Sequence, residues 1–211
     1  MKHLKSLGLA ALATGALMAF AGAGTASATE LTCADQVMCS APTTIHATSE
    51  GHATLDSPIG NIQCESTLAG SANTSSQTTT VSGNSNVIFF NCTEGAEVNV
   101  LANGTLEIHT EYTKEADGHE TQNLASTGNG TLTSTGFEFT VRFRGFHCIF
   151  RTSNTDIGTV TGSKNNAGKT ATLDINGRIP AVGGESGIFC GTTSPWTGSY
   201  SITTPDYLDI D

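Results

Sequence analysis

Three titratable side chains fall at every second position in the run Leu106–Tyr112: Glu107, His109 and Glu111. In a strand this spacing places all three on one face, and a carboxylate beside an imidazole can relay protons. No nucleophile can be placed beside them, so a solvated outer sheet face is the favoured reading. His147 adjoins Cys148, which suggests a thiol–imidazole pair, but neighbours on a strand point to opposite faces. Arg142, Arg144 and Arg151 lie within ten residues of one another in an acidic chain. They could fork onto carboxylates or sulfates of an acidic glycan, against cross-strand pairing with Glu107, Glu111 or Glu138. The single Trp196 offers a sugar-stacking face, or else a buried anchor for the last hairpin. The acidic end Asp206–Asp211 lacks the spacing of a calcium loop and reads as an exposed final strand.

The cysteines carry a different chemistry. Six are present, Cys33, Cys39, Cys64, Cys92, Cys148 and Cys190, and an even number in an exported chain reads as disulfides. Cys33 and Cys39 can close a local loop, and Cys64 and Cys92 lie in neighbouring strand-like segments. That leaves Cys148 for Cys190. No C-x-x-C occurs and the histidines are scattered, so no metal site is expected, and no cofactor. Nucleophile-elbow, zinc-protease, phosphate-loop and dinucleotide motifs are absent from the sequence; Gly184-Glu185-Ser186-Gly187-Ile188 has Ile where the elbow needs its second Gly. Sequons at Asn73, Asn91, Asn103 and Asn129 read as chance matches in a Thr-rich chain.

The expectation of disulfides rests on the first 28 residues. Lys2, His3 and Lys5 precede an apolar stretch from Leu7 to about Ala21, followed by Ala26-Ser27-Ala28. This is the pattern of a secretory signal peptide. The stretch is too short and too rich in Ala and Gly to span a membrane, so no transmembrane anchor is expected. A secreted product, extracellular or at the cell surface, would begin at Thr29. Without the leader's two lysines, seven basic residues face 19 acidic ones, a net charge of −12. That sign excludes a nucleic-acid partner. A surface glycan or an extracellular protein is the partner class that remains.

The elements that must position these residues are strands. After the leader no segment repeats apolar residues at helical spacing, and alternating runs recur between Gly, Asn, Ser and Pro. In Phe137–Phe143 three Phe and one Val share one face, as a half-buried strand requires. Glu97–Leu101 and Leu106–Tyr112 flank Asn103-Gly104, a strong hairpin signal. Ser57-Pro58-Ile59-Gly60 is expected to be a turn. Val87-Ile88-Phe89-Phe90 reads as a strand buried on both faces. The predicted fold is all-β: a disulfide-stapled antiparallel β-sandwich or barrel of roughly ten to twelve short strands. The expected organisation is a signal peptide over 1–28, an N-terminal segment with a local disulfide over 29–50, and a single β-sandwich domain over 51–211.

In its turn-and-strand phrases the chain resembles a family of uncharacterised secreted proteins of actinobacterial type. The phrases are Asn103–His109, Asn129–Ser134, Asp156–Gly162, Ala171–Ile175 and Pro195–Tyr200. The resemblance implies a secreted all-β domain and carries no activity and no functional residue with it. The function expected from all of this is a non-enzymatic secreted β-domain, structural or weakly adhesive at the cell surface or in the extracellular matrix. The alternative is a carbohydrate-binding module or small secreted hydrolase using Glu107, His109 and Glu111 or Trp196.

Overall fold

A computed structural model describes residues 31–34, 37–74, 80–110, 113–114, 120–121, 129–163, 170–183 and 188–210. The expected signal peptide and Glu111 lie outside the described residues. The chain is an all-β protein built on an eight-stranded antiparallel barrel.

The strands, in order, are β1 (Leu31–Cys33), β2 (Val37–Met38), β3 (Thr43–Ser49), β4 (Ala53–Ser57), β5 (Gly60–Ala72) and β6 (Thr80–Phe90). Then come β7 (Ala96–Ala102), β8 (Thr105–Thr110), β9 (Thr113–Lys114), β10 (Glu120–Thr121), β11 (Asn129–Thr135) and β12 (Glu138–Phe143). The last are β13 (Phe146–Arg151), β14 (Thr155–Thr161), β15 (Thr172–Pro180), β16 (Thr193–Thr204) and β17 (Asp209–Ile210). Each barrel position pairs with its neighbours in sequence, through β3, β5, β6, β8, β11, β14, β15 and β16, and β16 returns to β3. Closing the meander removes the open edges that an antiparallel sheet would otherwise present.

Several strands are parts of longer staves. β3 and β4 both lie between β5 and β16, so residues 43–57 run as one stave through the domain boundary expected at 50. β8, β11 and β14 belong to the barrel, while β7, β12 and β13, adjacent to them in sequence, form a second sheet in the same order. The three staves therefore bend together. The bend falls at Gly104, at Gly136 and at Asn154, all with φ between 50° and 76°. Thr152 knots it: its hydroxyl accepts the Phe137 amide at 2.9 Å and meets Ser134 Oγ at 3.0 Å.

The expected Asn103-Gly104 hairpin is thereby corrected. β7 pairs with β12 and β8 with β6 and β11, not with each other. A type I′ turn needs positive φ at both central residues, and here only Gly104 has it. A Cβ at Gly104 would lie 2.3 Å from the Phe137 amide nitrogen, so the glycine serves the contact between two bent staves. The Pro58-Ile59 turn forms as expected, joining β4 to β5. Val87 and Phe89 face inward but Ile88 is 53% exposed, so that strand is buried on one face only, because the outside of the barrel meets solvent. The chain's end is the reverse case: Leu208 and Ile210 are fully buried, because β17 pairs with β1 across one end of the barrel.

The interior divides at Tyr200, whose hydroxyl meets Ser66 Oγ at 2.7 Å. Towards the second sheet, Phe89, Phe137, Phe139, Phe150 and Trp196 pack ring against ring, stacked, tilted or edge to face, with centroids 5.4–6.3 Å apart. Towards the β1–β17 end the lining is aliphatic. The disulfides join Cys33 to Cys39, Cys64 to Cys92 and Cys148 to Cys190, the pairing expected from the spacing.

Candidate functional site

The sequence candidates separate widely. Glu107 and His109 sit on the outer face of β8, with His109 Nε2 3.6 Å from Glu107 Oε2 and Nδ1 3.0 Å from Thr80 Oγ1. Their neighbour Ile108 points inward, so the pair lies on the sheet's outside. Trp196 is 1% exposed and stacks on Phe137; an indole enclosed by rings has no face to offer a sugar, so of the two expected roles the structure gives the buried anchor and corrects the sugar-stacking one. Its Nε1 is buried on the side of the Tyr200 hydroxyl. Cys148 is buried and oxidised, and His147 is exposed on the other face of β13. Among the described residues no cluster of His, Cys, Asp or Glu could hold a metal ion.

The arginines behave differently from one another. Arg151 pairs with Glu138 across the β12–β13 ladder. Arg142 and Arg144 have no ion pair among the described residues. Both border an open depression of about 520 Å³ at the rim of the second sheet, lined also by Glu97, Phe143, Phe146 and His147. Arg144 (φ 50°) and Gly145 (φ 84°) form the two-residue turn between β12 and β13. Positive φ at both positions is the turn geometry that matches strand twist.

Register builds the cleft floor. Arg142 lies opposite His147 on β13 and opposite Glu97 on β7, yet no Arg142–Glu97 ion pair forms. The Arg144 guanidinium stands 4.8 Å from the Phe143 ring centroid, within cation–π range. Beside the turn, Phe146 and Phe189 meet edge to face at 5.2 Å and remain 38% and 58% exposed. Phe189 belongs to a single 3-10 turn, Ile188–Cys190, which the Cys148–Cys190 disulfide fastens to β13.

Two guanidinia, an imidazole and the partly exposed Phe146 thus border one depression, and Phe189 packs on Phe146 from beyond that lining. Guanidinium forks match carboxylates and sulfates, and exposed rings stack on apolar faces of a ligand. Phe146 and Phe189 are not singled out by the sequence, and His147 enters there only as a thiol partner for Cys148. The available signals were Arg144-Gly145 between two alternating runs, and Phe189 next to a cysteine.

The architecture defines a class: a disulfide-bonded antiparallel barrel with a cationic, aromatic cleft at one rim. The chain matches no protein-family model, no curated protein and no solved structure. The three disulfides suit an oxidising environment, and among the described residues no helix is long and apolar enough to cross a membrane.

Proposed function

We propose that the protein is a secreted, non-enzymatic adhesive module that holds an acidic glycan at the Arg142/Arg144 cleft. One observation carries this reading: in a chain of net charge −10, two arginines at one rim lack acidic partners among the described residues and share a depression with the partly exposed Phe146, on which Phe189 packs. A carboxylate-bearing sugar polymer would bring anionic groups for the guanidinia and apolar ring faces for the phenyl groups. Glu97 at the edge of the cleft disfavours densely charged anions. Export follows from the leader-like first 28 residues together with the disulfides.

The test is binding of polygalacturonate against neutral dextran by calorimetry at low and at physiological salt. Saturable binding to polygalacturonate alone, weakened by salt and by at least tenfold in Arg142→Ala/Arg144→Ala, supports the proposal. Equal binding of both polymers, or no loss in the double variant, overturns it. Hydrolysis of either polymer by the purified protein would overturn the non-enzymatic part.

A further inference from the structure

The aliphatic half of the barrel holds a partly open cavity of about 50 Å³, with no lining residue in common with the rim cleft, bounded by Leu68, Val81, Ile108, Leu132 and Val160 and by Leu208. A single water needs about 10–15 Å³ and two to four polar partners. The space exceeds the first requirement, and its mainly aliphatic lining is poorly suited to the second.

The space follows from the backbone. Alternation along β5 and β6 turns positions 68, 70 and 72, and 81, 83 and 85, towards the interior. Positions 70 and 83 are glycines. A Cβ at Gly70 would lie 2.2 Å from the Asn84 carbonyl oxygen, and one at Gly83 would lie 2.5 Å from that of Ser71. Two adjacent staves therefore approach so closely that neither can send a side chain inward at this level. Ile45 and Leu106, which also line the cavity, remain only partly buried, so small molecules can reach it.

We infer that this cavity takes the terminal methyl end of a short aliphatic chain, the rest of which leaves past the partly buried Ile45 and Leu106. Van der Waals contact supplies the affinity, because such a ligand fills space that aliphatic walls leave empty and that water occupies poorly. The lining contains no charged side chain to select a polar head, so a free hydrocarbon and the tip of a fatty chain share the required chemistry.

The experiment uses the secreted, oxidised protein with 13C-labelled Ile, Leu and Val methyl groups, titrated with n-pentane and separately with hexanoate. Saturable shifts confined to methyls of Leu68, Val81, Ile108, Leu132 and Val160 on adding pentane are the expected result. The same shifts with hexanoate identify a fatty-chain tip as the source; shifts with pentane alone identify a free hydrocarbon. Val160→Phe, which fills the space, should weaken pentane binding at least tenfold. Leu106→Ala, at a partly exposed wall, should admit benzene more tightly than the parent protein does. No saturable shift with pentane, or an unchanged preference for size in Leu106→Ala, overturns the inference.

Discussion

The two halves of the barrel interior are built on the same staves and filled in opposite ways. Around Trp196, four phenylalanines from β6, β12, β13 and the β11–β12 bend close the space with rings. Below Tyr200 the inward positions hold Leu, Ile, Val and Gly, and a cavity remains. Closure of the sheet is therefore not what packs a barrel. Side-chain volume at inward positions does so, together with the bent staves that bring β12 over the aromatic half.

The sharpest way to break the contrast is to remove the largest member of each half. Trp196→Ala should cost about 3–5 kcal/mol, as full truncation of a packed aromatic does. Leu132→Ala borders space that is already empty and should fall nearer the lower end of the 2–5 kcal/mol range for aliphatic truncation, about 2 kcal/mol. Chemical denaturation of both variants measures the difference. Equal losses would mean that the aliphatic half is as tightly packed as the aromatic one.

The disulfide beside the aromatic half ranks next. Cys148→Ala/Cys190→Ala should lower stability by about 2–4 kcal/mol. Because the bond fastens the 3-10 turn that carries Phe189, the variant should also lose glycan affinity while still folded. Unchanged affinity in a folded double variant would show that Phe189 needs no tether.

Tyr200 stands on the border, and burial raises its phenol above the usual 10.0, opposed in part by the Ser66 hydrogen bond and the Trp196 indole. A raised acid contributes stability that is complete below its unfolded value and is lost as pH rises through the folded one. Stability should therefore hold to about pH 10 and decline beyond it, as the unfolded chain ionises first. Tyr200→Phe should cost about 1–2 kcal/mol near neutrality, because Ser66 loses its partner, and should make the alkaline decline shallower. A decline of unchanged steepness would place its origin elsewhere.

These halves were unevenly legible in the sequence. Period-two alternation revealed the aromatic strand, since Phe137, Phe139, Val141 and Phe143 all face inward. Cysteine spacing gave the disulfides. Alternation could not reveal that β7 and β8 are one bent stave, because Asn-Gly favours a hairpin and only the φ of Asn103, which is not positive, turns that signal into a bend. Nor could it reveal the cavity, which depends on Gly70 and Gly83 meeting across two strands. The cleft was half visible: the arginine cluster stood out, but only the side-chain geometry shows that Arg151 pairs with Glu138 while, among the described residues, Arg142 and Arg144 have no ion pair.

That last distinction yields the smallest predicted effect. Glu138 and Arg151 form a surface pair, with Arg151 half-exposed, and such pairs contribute about 0–1 kcal/mol. Glu138→Gln should therefore change stability by less than about 1 kcal/mol. It frees a third guanidinium on the second sheet, at the opposite end of β13 from the cleft. If the cleft depends on Arg142 and Arg144 beside the aromatic pair, this added cation leaves polygalacturonate affinity unchanged. If overall positive charge on the second sheet is what matters, affinity rises with Glu138→Gln and the assignment to one rim fails.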